Sequence, residues 1–261
     1  MRSPVLLVIA HGSRDPRHAA TVHALVRRVR SQRPGLRVET GFLDFNAPSV
    51  PRMLEALAEE VRREAPRWRG GGGRREGVRD VVALPLLLTR AFHAKSDIPA
   101  VLRSAPPALR IRQADVLGPS PLLVEALNNR LYEAGLAPAD RRSTGLVLAS
   151  AGSTDPEAIA VIAELARELR HTGWCAVRAA FASASLPRTG DAVRALRSEG
   201  FDRVAVAPYV IAPGRLPDRI AAGSSDADVL ADVLGPSQEL ARLLLERYDG
   251  ARVEHRIALA G

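Results

Sequence analysis

The chain has 261 residues, of which 46% are hydrophobic, 25% charged and 4% aromatic. These proportions are those of an ordinary globular protein and exclude a disordered, collagen-like or disulfide-rich chain. The formal charge of +8 is explained first by a solvated surface, next by a polyanionic small molecule as ligand, and last by a nucleic acid, because aromatic side chains are scarce. The single cysteine, Cys175, and the lack of any long apolar run predict a cytoplasmic protein without a membrane span.

Four short segments recur in the same order in the two halves of the chain. The matches are 10–16 with 150–156, 50–51 with 186–187, 83–85 with 206–208, and 114–120 with 231–237, the last pair being identical. Four ordered matches indicate a duplicated unit of roughly 120 residues. We therefore expect two domains, residues 1–137 and 143–261, separated by the polar stretch 137–143.

In each half, short β-branched runs alternate with longer amphipathic runs. For the first half we expect, in chain order, strand 5–10, helix 16–32, strand 36–43, helix 48–65, strand 78–84, a short helix from 96, strand 109–115 and helix 120–134. The second half repeats this order from 145 to 248. The alternation predicts two similar doubly wound, flavodoxin-like α/β domains, each with a parallel sheet covered by helices on both faces. The Gly- and Arg-rich insert at 67–77 has no counterpart and is expected to be a surface loop without a catalytic role.

Two histidines occur in one copy of the repeat only. His11 directly follows the first strand, and His93 lies in the loop after the third strand. These strands are neighbours in a flavodoxin-like order, so both imidazoles should lie at the carboxyl edge of the sheet, where such folds bind ligands. In the second half Ala151 replaces His11, Gly214 stands in place of His93, and the loop is shorter by about two residues. The second half keeps the framework without either histidine, so the framework does not need them and a functional role of His11 and His93 is favoured. Imidazole suits metal binding and proton transfer at neutral pH.

Polar residues near these histidines are candidates for binding an anion. Ser13, with Gly12 before it, precedes a helix and could offer backbone N–H groups to a carboxylate. Arg14, Arg90 and Lys95 could bind acidic groups, although a solvated surface explains them as well. The other four histidines are expected to be structural: His18, His23, His171 and His255.

His11 and His93 belong to segments that resemble those of the sirohydrochlorin chelatases. These are class II chelatases, which insert cobalt or ferrous iron into sirohydrochlorin. The segments are HGSRD at 11–15 after an apolar strand, FLD at 42–44 followed by PSV at 48–50, and PLLL at 85–88 leading to His93 and DIP at 97–99. The resemblance covers nearly the whole chain, because the longer family members are also duplicated. It implies that His11 and His93 bind the metal and act as bases. A glutamate is usual in the family where this chain has Asp44, which could be a third ligand or form a turn.

The leading hypothesis is therefore a chelatase that inserts a divalent metal, as a substrate, into a polycarboxylate tetrapyrrole. Cobalt, iron and nickel all suit imidazole, the product could serve sirohaem or cobalamin synthesis, and no organic cofactor is expected. Ser13, Arg14, Arg90 and Lys95 would bind the ring's carboxylates. One alternative is a non-catalytic carrier of a tetrapyrrole or metal; another is a phosphoryl or nucleotide-sugar transferase, which would need a richer phosphate cradle. A homodimer is left open.

Overall fold

The computed structural model describes residues 3–64, 77–90 and 96–258, with side chains described as far as residue 252. The insert expected to form a surface loop lies outside the described residues, apart from its last position, Gly77. His93 and Lys95 also lie outside them.

The described chain forms two four-stranded sheets, each all-parallel and each flanked by helices. The first half contains β1 Val5–Ala10, α1 Pro16–Gln32, β2 Val38–Phe42, α2 Val50–Glu64, β3 Arg79–Pro85, α3 Ile98–Arg103, β4 Leu109–Gln113 and α4 Pro121–Glu133. After a short 3-10 helix, Pro138–Arg142, the second half contains β5 Thr144–Ser150, α5 Pro156–His171, β6 Ala176–Phe181, α6 Thr189–Ser198, β7 Arg203–Tyr209, α7 Arg215–Ala222, β8 Val229–Leu230 and α8 Gln238–Ala258. The strand orders are β2-β1-β3-β4 and β6-β5-β7-β8. The expected doubly wound, duplicated α/β fold is thereby confirmed.

The central strand of each sheet carries the chain directly to the sheet's carboxyl edge. All residues of β1 and of β5 are buried, as expected for strands covered on both faces. The following helices begin in the same way: Asp15 accepts a hydrogen bond from the Arg17 N–H, and Asp155 accepts one from the Glu157 N–H. In both halves a proline in the first turn fixes a backbone angle that suits a helix start.

The last helix of each half packs on the other half. α8 contacts α1 and β3 of the first half, whereas α4 packs against β7 of the second. Hydrogen bonds cross in the same way: the Tyr248 hydroxyl donates to the Pro4 carbonyl at 2.7 Å, and the Trp174 indole N–H donates to Asn128 Oδ1 at 2.9 Å. A continuous apolar core therefore joins the two sheets, and α2 with α3, and α6 with α7, cover the outer faces. The halves are repeats in sequence but share one packed interior.

One of the four sequence matches was wrong by three residues. The Phe42 N–H donates to the Pro48 carbonyl at 3.0 Å, and the Phe181 N–H donates to the Pro187 carbonyl at 2.9 Å. Pro48, and not Pro51, is therefore the counterpart of Pro187. The sequence match rested on an apolar residue followed by proline, a pattern that is too short to fix the alignment.

The match at the ends of the third strands is confirmed. Pro85 and Pro208 pair with corresponding residues of β1 and β5. Farther along, Ile98 is the buried residue of α3 and Ile220 the buried residue of α7, in corresponding outer cores.

Candidate active site

His11 stands at the carboxyl end of β1, between the ends of β2 and β3. Its side chain is half-buried, and its Nδ1 lies 3.2 Å from the Gly12 carbonyl oxygen. A carbonyl can only accept a hydrogen bond, so Nδ1 is the donor in this contact, and in the neutral ring the lone pair is then on Nε2. A neutral imidazole held in this tautomer has the form that binds a divalent metal or accepts a proton.

Gly12 allows the loop after β2 to pass directly beneath His11. Its φ is +94°, and a Cβ atom there would lie 1.9 Å from the Asp44 carbonyl oxygen. The second half has the same construction, because a Cβ on Gly152, with φ +91°, would lie 1.9 Å from the Ser183 carbonyl oxygen. Glycine is required at both positions by the backbone conformation and by the close approach.

The turn at Ser13 is fixed by its own hydrogen bonds. The Ser13 N–H donates to Asn46 Oδ1 at 2.8 Å, and Ser13 Oγ accepts from the Asp15 N–H at 3.1 Å. The backbone N–H that sequence reasoning offered to an anion is therefore already used. The Ser13 hydroxyl, which lies in the wall of the cleft described next, keeps a proton to donate.

A cleft of about 480 Å³ lies between the carboxyl edges of the two sheets. This volume is within the range of about 300–1,000 Å³ that is usual for small-molecule sites. Both halves supply its wall: the described lining residues are 11–13, 18, 86–89, 150–153, 158, 159, 162, 181 and 209–217. Most of these side chains are apolar, as is expected of a site that covers the faces of a flat organic ring.

His18 was expected from the sequence to be a structural histidine, but it also lines the cleft. Its Nδ1 is buried and has no hydrogen-bond partner among the described residues. Burial, reinforced by the nearby His11, lowers the pKa of His18 below its ordinary value, so the ring is neutral near pH 7. Its position in α1 did not reveal this, because only the packing of the second half turns that helix face into a cleft wall.

The remaining residues of the expected site lie around the rim. Arg14 is exposed, and its guanidinium carbon lies 5.2 Å from the centre of the Phe45 ring, which in turn lies 6.4 Å from the His11 ring. Asp44 is exposed, and its Oδ1 accepts the Phe45 N–H at 2.8 Å, as in a turn-forming aspartate. Arg90 is exposed and forms an ion pair with Asp115. His93 and Lys95 cannot be placed, because they are not among the described residues.

A cation that sequence reasoning missed lines the cleft from the second half. Arg215 is the first residue of α7 and belongs to the cleft wall. A Cβ atom on the preceding Gly214 would lie 3.7 Å from Ser13 Oγ, so this loop lies against the Ser13 turn of the first half. An ion pair between Arg17 of α1 and Asp218 of α7, with 3.3 Å between nitrogen and oxygen, also links the two halves here.

No three His, Cys, Asp or Glu side chains within the ranges given above are grouped so that they could hold a metal ion. No helix in the described part of the chain is long and apolar enough to cross a membrane.

The chain is similar in sequence to several curated proteins. A sirohydrochlorin ferrochelatase of Priestia megaterium is 26% identical over 250 residues, covering 92% of this chain and 87% of the relative. A sirohydrochlorin cobaltochelatase of the same organism is 26% identical over 222 residues, covering 82% of this chain and 66% of the relative. The solved structure of SirB from Bacillus subtilis with Fe3+ superimposes with a TM-score of 0.76 at 22% identity and covers 95% of both chains, which shows a common fold.

The sequence model of the CbiX family matches the chain twice. The matched segments, 5–134 and 145–251, correspond to the two halves of the fold. Together they account for most of the chain, including the segments around His11 and the cleft. This protein therefore belongs to the CbiX family.

Proposed function

We propose that this protein is a sirohydrochlorin chelatase, an enzyme of the lyase class that inserts cobalt or ferrous iron into sirohydrochlorin. The observation that carries the proposal is the His11 imidazole at the end of β1, in the wall of an apolar cleft between the two sheets. Membership of the CbiX family and the chelatase names of the relatives support it. The metal is a substrate here, and the chemistry needs no organic cofactor.

Metal insertion requires an exchange of ligands and the release of protons. Two pyrrolic N–H protons leave the ring as one divalent ion enters, so the charge of the macrocycle is unchanged. A group that first holds the metal and then takes a proton can serve both steps, and His11 has the form for this because its lone pair is on Nε2. We assign the same two roles to His93 by its resemblance to the family, as the second imidazole of the site.

The substrate is a flat ring bearing carboxylates, and the cleft offers a matching combination of groups. The apolar walls would cover the faces of the ring, and Ser13, Arg14, Arg90 and Lys95 would contact its carboxylates. Arg90 can exchange Asp115 for a substrate carboxylate at little cost, because both partners are well exposed to solvent. The overall charge of +8 would also attract a polyanion.

Insertion assays with one metal at a time test this proposal. Sirohydrochlorin is mixed with Co2+, Fe2+ or Ni2+ under anaerobic conditions, and its absorption is followed with and without the protein. A protein-dependent rate well above the spontaneous rate, for at least one metal, supports the chelatase. Tight binding of sirohydrochlorin without faster insertion of any metal would favour the carrier instead. The assay also ranks the metals, which imidazole ligation alone does not distinguish.

Two further expectations belong to this proposal. The protein acts in the cytoplasm, where its lone, half-buried Cys175 would stay reduced. It supplies either sirohaem or a cobalamin precursor, depending on the metal that is inserted. Light scattering on the purified protein would determine whether it acts as a monomer or as a homodimer.

A further inference from the structure

The cleft has a single permanently charged side chain among its described lining residues, and it comes from the half that lacks the histidines. That side chain is Arg215, at the start of α7. No Asp or Glu belongs to the described lining. An arginine at the edge of an apolar wall, with no acid beside it in that wall, is suited to an anionic ligand.

The local ion pairs leave Arg215 without a carboxylate partner among the described residues. Asp218, one turn farther along α7, is the acid that helix geometry places nearest to it. The Asp218 carboxylate instead contacts Arg17 of α1, 3.3 Å away. Arg17 also binds Asp15, so this small network joins α1 to α7 and does not include Arg215.

Arg215 also adjoins the position that the sequence comparison aligns with His93, where the second half has Gly214.

We propose that Arg215 is a substrate-binding residue that holds a carboxylate of the tetrapyrrole. The inference rests on the proposed function and adds to it a division of labour between the two halves. The first half supplies imidazoles that handle metal and protons, while the second half supplies a cation in the wall of the same cleft. An arginine remains charged at all relevant pH values and can bind a carboxylate through two parallel hydrogen bonds, which a histidine cannot do.

The test compares Arg215→Gln and Arg215→Lys with the wild type. The dissociation constant for metal-free sirohydrochlorin is measured by the change in its fluorescence, and KM and kcat are measured with Co2+. We expect Arg215→Gln to weaken sirohydrochlorin binding and raise its KM by about tenfold, the size typical of a hydrogen-bonded charge, and Arg215→Lys to lose less. The KM for Co2+ and the kcat at saturating sirohydrochlorin should stay within about twofold of the wild type, since the histidines are untouched.

Arg219→Gln is the matched control, because Arg219 is exposed on the same helix, one turn beyond Arg215, and is not among the lining residues. It should bind sirohydrochlorin as the wild type does. An unchanged dissociation constant in Arg215→Gln, or an equal weakening in Arg219→Gln, would overturn the inference. A wild-type protein that binds sirohydrochlorin but accelerates no insertion would overturn the proposed function, and the binding comparison would still decide the role of Arg215.

Discussion

His11 and Ala151 occupy the same backbone position in the two halves of the molecule. Each directly follows the central strand of its sheet, and each carbonyl accepts an N–H from the loop after the neighbouring strand, Asp44 at 2.9 Å and Ser183 at 3.0 Å. The turn has therefore been kept in both halves, while the imidazole is present in one. The fold alone does not require a histidine at this position.

The first prediction concerns the alanine of this pair. Ala151→His should leave the insertion rate within about twofold of the wild type, because one imidazole without its partner groups holds a metal weakly. The same substitution should not restore activity to a His11→Ala protein. The measurement is the initial rate with Co2+, together with the visible spectrum of the Co2+-loaded protein. Recovery of activity in the double variant would show that the second half retains a working site.

The second prediction concerns the exposed phenyl ring beside His11. Phe45 is 51% exposed, which is unusual for a large apolar side chain, and it lies at the rim of the cleft next to Arg14. A bound tetrapyrrole would cover this ring, so Phe45→Ala should raise the KM for sirohydrochlorin by roughly three- to tenfold with little effect on the KM for metal. Stability should change little, because Ala184 has the same left-handed backbone conformation at the corresponding place, with φ 59° against 61°.

Leu186→Ala is the control for Phe45→Ala. Leu186 is 73% exposed in the corresponding loop of the second half, which follows β6 and lies beside Ala151 instead of a histidine. The Leu186→Ala variant should have the same KM for sirohydrochlorin as the wild type. If both variants behave alike, Phe45 has no specific part in substrate binding.

Much of the framework could be predicted from the sequence because its signals are local. β1 and α1 have the expected bounds, 5–10 and 16–32, since an apolar run and an Asp-Pro helix start define them. Other features depend on distant packing. An amphipathic pattern shows that α4 and α8 bury one face, but it does not show that each packs on the other half. For the same reason Arg215 and His18 were not recognised as neighbours of His11 in one cleft.

The third prediction concerns the acid–base behaviour of His18. Burial, and to a smaller degree His11, lower its pKa below 6.5, whereas Asp15 acts in the opposite direction. In the metal-free protein, the NMR signal that is lost in His18→Gln should therefore titrate with a midpoint below 6.5. The unfolded chain takes up this proton at higher pH than the folded one, so His18 reduces stability as the pH falls from about 6.5 toward the folded-state value. A midpoint at or above 6.5 would contradict the described environment.

The fourth prediction concerns an ion-pair network on the outside of the first sheet. Glu60 forms ion pairs with Arg37 and, at 2.7 Å, with Arg79. The contact with Arg37 is the main cause that lowers the pKa of Glu60 to about 2. Arg79 acts in the same direction, whereas burial acts in the opposite direction. Glu60→Gln should lower the free energy of unfolding at pH 7 by about 1 kcal/mol, a modest value because solvent reaches a third of the side chain.

The pH dependence of that difference provides its check. A carboxyl whose folded-state pKa is depressed stabilises the fold above its unfolded pKa, near 4.5, and this contribution disappears as the pH falls toward 2. Urea unfolding of the wild type and Glu60→Gln should thus differ at pH 7 and converge between pH 4.5 and 2. A difference that does not depend on pH would show that the pairs with Arg37 and Arg79 are not its source.

Whether His11 binds the metal and accepts a proton is decided by the insertion rate of His11→Ala, with spontaneous insertion subtracted. We expect a fall of at least about a hundredfold, because both the metal contact and the base are removed, and the same for His93→Ala. The dissociation constant for sirohydrochlorin and the urea midpoint should stay close to the wild type, since a half-buried residue at the end of a strand is not part of the core. Insertion by His11→Ala at nearly the wild-type rate would contradict the assignment of this cleft as the site of chelation.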